Sequence, residues 1–417
     1  YMLSGMVDTL MLSAVGDYAV GAVGTANSYI GIFIIMFSII SSGMVSVMTQ
    51  NIGAGRPGVA YQARQLGLLF NAVAGVLMAV FLFSGAGAIL RMVGIADALY
   101  EPALIYLKIV GGGCILNAVI PIFSSYLRAF GYTKQPLYAT IVGNIANFVM
   151  NAVFLFVLHK GVAGVAAATV ISKILNLCIV LYFSHKLISA KNSTERIANK
   201  TVLGQIVKVG LPSACETALY NVAMMLVIRF LNQMDAEGLN VTARSYTATI
   251  SNFSYCVGAA LAQANAIMTG WHIGAGELEE CDRGTKRAAF VGVCVAVCME
   301  TAIVLGSGFI MPLFTDNPEM TALVRKLLAI DIVLEIGRVT NLVFGQALKT
   351  SGDAVFPAVI AAVFMFVFAV GGTWLFGISM GLMAVGAYIG LASDECVRAV
   401  GMVWRWKTGK WRTKKLV

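Results

Sequence analysis

The sequence predicts an all-α integral membrane protein: twelve transmembrane helices, the first one truncated, in two six-helix lobes related by a parallel pseudo-two-fold repeat. Three observations predict it. Of 417 residues, 59% are hydrophobic and 12% charged, with a mean hydropathy of +0.84; soluble domains carry about 25% charged residues. Apolar runs long enough to span a bilayer recur along the whole length. The Gly and Pro turns of the first half return in the second.

The division falls at His185 to Gly204, the longest run dominated by polar and charged residues. The expected organisation is a first lobe over 1–184, a linker over 185–204, a second lobe over 205–404 and a basic tail over 405–417.

In chain order, Tyr1 to Ala14 is apolar apart from Asp8 and reads as the second half of a first span. Spans follow over about 20–48, 60–83, 100–129, 136–158 and 165–183. The polar turn 49–58, TQNIGAGRPG, separates the first two of these. Pro136 suits the first turn of its helix, where a missing N–H costs nothing. The second lobe places spans over about 205–232, 239–268, 288–309, 319–348, 357–376 and 382–404. The tail is basic, and Trp406 and Trp411 read as membrane-interface anchors.

The repeat is carried by Ile52 to Gly55 against Ile273 to Gly276, and by Leu127, Gly131 and Pro136 against Leu348, Gly352 and Pro357. These pairs share one offset of 221 positions. Apolar helices match by chance, but punctuating turns at one offset do not. Six helices per copy, an even number, gives both copies the same orientation in the membrane.

The formal charge is +9. Its distribution argues for retained cytoplasmic loops rather than nucleic-acid binding: Arg56, Arg128, Lys134, the linker bases, Arg283 and the tail fall on one side, and Asp17, Asp97, Asp235, Glu237 and Asp316 on the other. By the positive-inside rule the linker and both termini are cytoplasmic. Eight scattered cysteines form no CxxC motif and read as small core residues. No P-loop, HExxH or GxSxG motif is present, so an enzyme is not expected.

Ionisable groups at membrane depth cost several kcal/mol and persist when paired, hydrated or used. In the first lobe these residues are Asp8, with Asn147 and Asn151 on one helix face and Thr169 on the next span. A carboxylate among amide and hydroxyl oxygens suits Na⁺ or a proton, with Asp8 the possible metal ligand. Asn and Thr also serve as interhelical hydrogen-bonding groups. The second lobe offers Glu216, Glu335 and Arg338, with Asp331 and Asn341 continuing one face, and Glu300 in a neighbouring span. Glu335–Arg338 and Asp394–Arg398 have the spacing of helix ion pairs.

Met6-Val-Asp-Thr9, the two IGAG turns, Leu127-Arg-x-x-Gly131 with its echo at 348–353, Gly161 to Thr169 and Met311-Pro-Leu-Phe-Thr315 together resemble the multidrug and toxic compound extrusion (MATE) transporters, most closely a poorly characterised bacterial branch. The resemblance covers essentially the whole chain. It implies exchange of a small organic compound, cationic or amphipathic, for Na⁺ or H⁺, with no other cofactor, by a monomer in the lipid of a bacterial inner membrane. It also makes Asp8 a cation-site residue and puts Asn151 where a second acid is usual. An alternative is a lipid-linked-precursor flippase of the same superfamily, whose cavity bases would be Lys173, Arg229, Arg244 and Arg338.

Overall fold

The computed structural model describes residues 11–12, 16–92, 95, 97–188, 195–235 and 238–417, and among these the chain is helical with no strand. Asp8 lies outside the described residues. Twelve helices are labelled in order: α1 Asp17–Gly53, α2 Pro57–Met92, α3 Asp97–Gly112, α4 Cys114–Ala129, α5 Lys134–Ala152, α6 Gly161–Leu187, α7 Asn199–Met234, α8 Leu239–Ala275, α9 Leu278–Ile310, α10 Pro318–Ser351, α11 Val355–Phe364 and α12 Met383–Lys407.

The predicted single span 100–129 is broken. α3 and α4 meet at Gly113 with a bend of 40°. Gly111, Gly112 and Gly113 weaken the helix here because glycine loses the most backbone freedom on becoming helical, and a Cβ on Gly111 would stand 2.9 Å from Leu82 Cβ. The break therefore sits where α3 presses closely on α2.

Two compact units emerge, Tyr1–Met48 with Arg56–Val207, and Thr49–Gly55 with Lys208–Val417. In the first, α2 packs on α3 and α4, and α6 packs on α3, α4 and α5. Its core is built from small and aliphatic residues, among them Ala22, Leu82, Leu107, Ala118 and Val165. Small residues let backbones approach closely where lipid removes any hydrophobic drive between helices. Leu69, Leu77 and Phe83 remain on the outside of α2, as a lipid-facing side requires.

In the second unit α10 lies between α8 and α12, and α9 packs on α8 and α10. Seven helices among the described residues are long and apolar enough to cross a membrane, and the bent α3–α4 pair makes an eighth. The remaining long helices are α8, α10 and α12. Their polar residues disqualify them by composition, and those residues are what they bury against one another. The fold is that of an all-α membrane protein with about twelve spans.

The repeat is visible in the backbone. Gly55 (φ +73°) and Gly276 (φ +79°) end α1 and α8 in the left-handed region, and Gly131 (φ +84°) and Gly352 (φ +99°) follow α4 and α10 likewise. α5 closes in a widened π-helical turn, Val153–Val157, and α11 continues into π-helical segments, Met365–Val370 and Thr373–Ser379. The 153–157 turn and the 373–379 segment correspond at the same 221-residue spacing.

The tail departs from expectation. Trp406 and Trp411 are 2% and 1% exposed rather than at a membrane surface. The physical reason is that both indole N–H groups find protein acceptors: Trp406 Nε1 donates to Asp282 Oδ1 at 2.7 Å, and Trp411 Nε1 to the Trp406 carbonyl at 3.0 Å. Arg405 forks onto Asp353 at 2.7 and 3.2 Å. Arg412 reaches Glu279 at 2.8 Å. The Leu416 N–H donates to Gln50 Oε1 at 2.7 Å, while Gln50 Nε2 donates to the Thr350 carbonyl at 2.6 Å.

Candidate functional site

In the second unit the charged residues converge. α10 presents Asp331, Glu335 and Arg338 on one face, by i, i+4 and i+3 spacing. α12 faces them with Asp394, Glu395 and Arg398. The two helices meet closely because Gly337 has no side chain; a Cβ there would stand 2.7 Å from the Cys396 nitrogen.

Most of these charges neutralise one another. Arg338 bonds Glu335 and stands 3.7 Å from Glu395. Arg398 grips Asp394 through two nitrogens, at 3.0 and 2.6 Å, and reaches Glu395 at 2.9 Å. The Asn341 amide donates to Glu395 Oε2 at 3.0 Å. Glu395 is thus the joint between two arginines and an amide on two helices. Bidentate, charge-assisted contacts of this kind hold the side chains in place.

Three acids keep oxygens without a hydrogen-bond partner. Glu300 on α9 is 0% exposed with both oxygens unpartnered, Glu335 is 0% exposed with Oε2 unpartnered, and Asp331 is 3% exposed with Oδ2 unpartnered. Of the three, Asp331 lines a cavity of about 310 Å³, together with Tyr220, Tyr255, Tyr388, Arg244 and Arg338 among others. The Arg338 guanidinium lies 5.7 Å from the centre of the Tyr255 ring. The site combines aromatic walls with buried charge.

The structure separates one member of the second-lobe set from the others. Glu335 and Arg338 belong to this cluster, whereas Glu216 pairs with Lys349 at 2.8 Å. Residues that sequence reasoning passed over are Glu395 as a bridge, and Tyr255 and Tyr388 as cavity walls. The Asp394-Glu395-x-x-Arg398 spacing pointed to pairing within α12 but carried no sign of the partners on α10. Of the four cationic candidates, Arg244 and Arg338 line the cavity, Arg229 is on an exposed face of α7, and Lys173 lies in the first unit.

In the first unit Asn147 and Asn151 are buried on α5, and the Asn151 amide reaches Asn147 Oδ1 at 3.3 Å. The Thr169 hydroxyl donates to the Val165 carbonyl at 2.9 Å on α6. Helices α5 and α6 pack together. The repeat-equivalent positions of Asn151 and Thr169 are Gly372 and Gly390, where a Cβ on the former would meet the latter's Cα at 2.9 Å. The same helix crossing therefore holds polar side chains in one unit and bare backbone in the other.

The sequence model of the MatE family matches residues 1–153 and 212–375. The chain belongs to the MatE family. It is 32% identical to the "Uncharacterized transporter YisQ" of Bacillus subtilis, over 99% of this chain and 92% of that one. It is 20% identical to the "Probable multidrug resistance protein NorM" of Thermotoga maritima, over 100% of this chain and 90% of the relative. Among solved structures, a MATE protein in a straight conformation superposes with a TM-score of 0.87 at 21% identity, covering 99% of this chain and 93% of that one. This MatE protein is accordingly a multi-pass membrane transporter and not an enzyme.

Proposed function

We propose that the chain is a secondary active antiporter. It exports amphipathic organic compounds, cations included, across the bacterial inner membrane in exchange for Na⁺ or H⁺. The single observation that carries the reading is the aromatic cavity lined by the buried Asp331, whose Oδ2 has no hydrogen-bond partner. A buried, unpartnered carboxylate is costly, so binding a proton, a metal cation or a cationic group there is favourable. A ligand whose affinity differs between two conformations shifts the balance between them, which is what alternating access requires. The name of the Thermotoga relative supports a multidrug substrate range.

In this reading Asp8, with Asn147, Asn151 and Thr169, is a second coupling site, in the first lobe. The linker 185–204 and both termini are cytoplasmic, following the placement of the basic loops, and the transporter acts as a monomer. The decisive measurement is transport into or out of proteoliposomes under separately imposed Na⁺ and H⁺ gradients. One of the two gradients is expected to drive movement of an organic cation, and Asp8→Asn is expected to uncouple it without loss of folding. Gradient-driven transport that is unchanged in Asp8→Asn removes Asp8 from the mechanism. Absence of gradient-driven transport in the unaltered chain removes the antiport reading.

A further inference from the structure

A second opening shares no residue with the first. It is an open groove of about 640 Å³ between α9 and the first half of α10, walled by Val304 on α9 and by Thr321, Ala322 and Ala329 on α10, with Arg325 and Lys326 as its charged residues. Both bases are exposed, and among the described residues neither has an ion-pair or hydrogen-bond partner. The nearest acid before them is the exposed Glu319, two turns from Lys326 or about 10 Å along the axis. Asp331, the next acid after them, turns the other way, into the first cavity. The surroundings are apolar. Leu305 and Phe309 follow Val304 toward the same end of the unit and are 72% and 88% exposed. Along α10, Ala322, Lys326, Ala329, Val333 and Ile336 recur at i+4 and i+3 and are exposed together. In a membrane transporter such faces meet lipid. Two adjacent positive charges therefore stand uncompensated on a lipid-facing stripe, where charge is costly unless it is paired.

We propose that this groove is a binding site for an anionic phospholipid. The phosphate is held by Arg325 and Lys326, and an acyl chain lies in the groove over Ala322 and Ala329. Arginine offers a planar fork that matches phosphate oxygens, and lysine adds a compact second charge. Both side chains have long apolar stems, which cover the alanines while lifting the charged ends to headgroup level. The small residues leave the room that a chain needs between the helices. The headgroup is anionic because a choline or ethanolamine group would bring a third cation beside the two bases, whereas a glycerol headgroup brings none. The 221-residue offset puts Leu104 and Ile105 at the matching positions of the first unit, so one such site per chain is expected. The site goes beyond the antiport reading and stands independently of it.

The test is native mass spectrometry of the purified full chain in detergent micelles doped with phosphatidylglycerol or with phosphatidylcholine of the same chains. The readout is the apparent affinity for the first lipid bound. Phosphatidylglycerol is expected to bind about ten-fold or more tightly, from the attraction of two bases. Arg325→Gln with Lys326→Gln is expected to bring it down to the phosphatidylcholine level. The exchange Arg325→Lys with Lys326→Arg, which keeps both charges, is expected to retain the preference. Ala329→Trp, which fills the groove, is expected to weaken both lipids. Arg283→Gln with Arg287→Gln removes two exposed bases of α9 outside the groove and is expected to leave the preference unchanged. The altered positions are all exposed, and melting temperatures near that of the unaltered chain confirm folding. Equal affinity for the two lipids, a preference that survives in the double Gln variant at 325 and 326, or one that is lost equally in the 283 and 287 variant overturns the proposal. Unchanged phosphatidylglycerol binding in Ala329→Trp overturns it too. Displacement of the lipid by millimolar glycerol 1-phosphate marks a site for free phosphate and overturns the lipid assignment.

Discussion

Trp411 stacks on Trp406 with ring centres 4.2 Å apart and planes 9° from parallel. The pair closes the end of the second unit's core, with Phe344 edge-on to Trp406 at 6.0 Å. Trp411→Ala is expected to cost about 3–5 kcal/mol, the range for losing a large buried ring, and to lower the melting temperature of the purified protein. Trp404→Ala, which removes an exposed ring two residues before Trp406, serves as the comparison and leaves that temperature nearly unchanged. Equal melting temperatures for the two variants contradict a structural tail.

Arg398 tests the charge network. Replacing it by Met leaves Asp394 and Glu395 buried without their shared cation, a loss expected to cost about 3–5 kcal/mol. The Lys286–Asp282 pair has the same i, i+4 spacing and a comparable distance, 2.6 Å, but Lys286 is exposed. Lys286→Ala should change stability by less than about 1 kcal/mol. Thermal unfolding of both variants at one pH distinguishes a buried network from a surface pair.

Gly274 lies where α8 ends against residues 49–55. A Cβ there would stand 1.9 Å from the Gln50 carbonyl oxygen, which is backbone and cannot swing away. Gly274→Ala is expected to destabilise the protein by about 1–3 kcal/mol or more. Gly284→Ala, in a helix position with nothing within 4 Å, should be neutral or gain up to about 1 kcal/mol from helix propensity. Opposite signs in a melting assay are the expected result.

Asp235 governs an acid-dependent contribution in the loop before α8. Burial pushes its carboxyl upward, but the N–H groups of Asn240 and Leu239 and the Asn240 side-chain amide outweigh this and hold it below its ordinary 3.8. Folding therefore favours the charged form. The associated stability is fully present above 3.8 and is lost as pH falls through the lower folded value. The melting-temperature difference between the unaltered protein and Asp235→Asn should be constant from neutral pH down to about 5 and shrink in stronger acid. A difference that grows on acidification contradicts a stabilising role for these contacts.

Much of the fold was legible because its signals are local. Hydropathy gives the spans, and glycines at turn positions give the ends, since a left-handed backbone at Gly55, Gly131, Gly276 and Gly352 is cheap for no other residue. Pairs along one helix, such as Glu335–Arg338, follow from spacing alone. Pairs across helices do not: nothing in the sequence joins Glu395 to Arg338, or Glu216 to Lys349, because those contacts depend on how α7, α10 and α12 are packed. The tryptophans of the tail were misplaced for a related reason. An indole suits a membrane surface when its N–H needs an outside acceptor, and Asp282, more than a hundred positions away, supplies one inside.

The widened helical turn at 153–157 has its counterpart in 373–379, whereas the buried charges have none: the positions matching Asp331, Glu335 and Arg338 hold Val110, Cys114 and Asn117. The bends are thus common to both halves, and these buried charges belong to the second alone. The turn at 153–157 forms in a unit without those charges, so the bend does not depend on them.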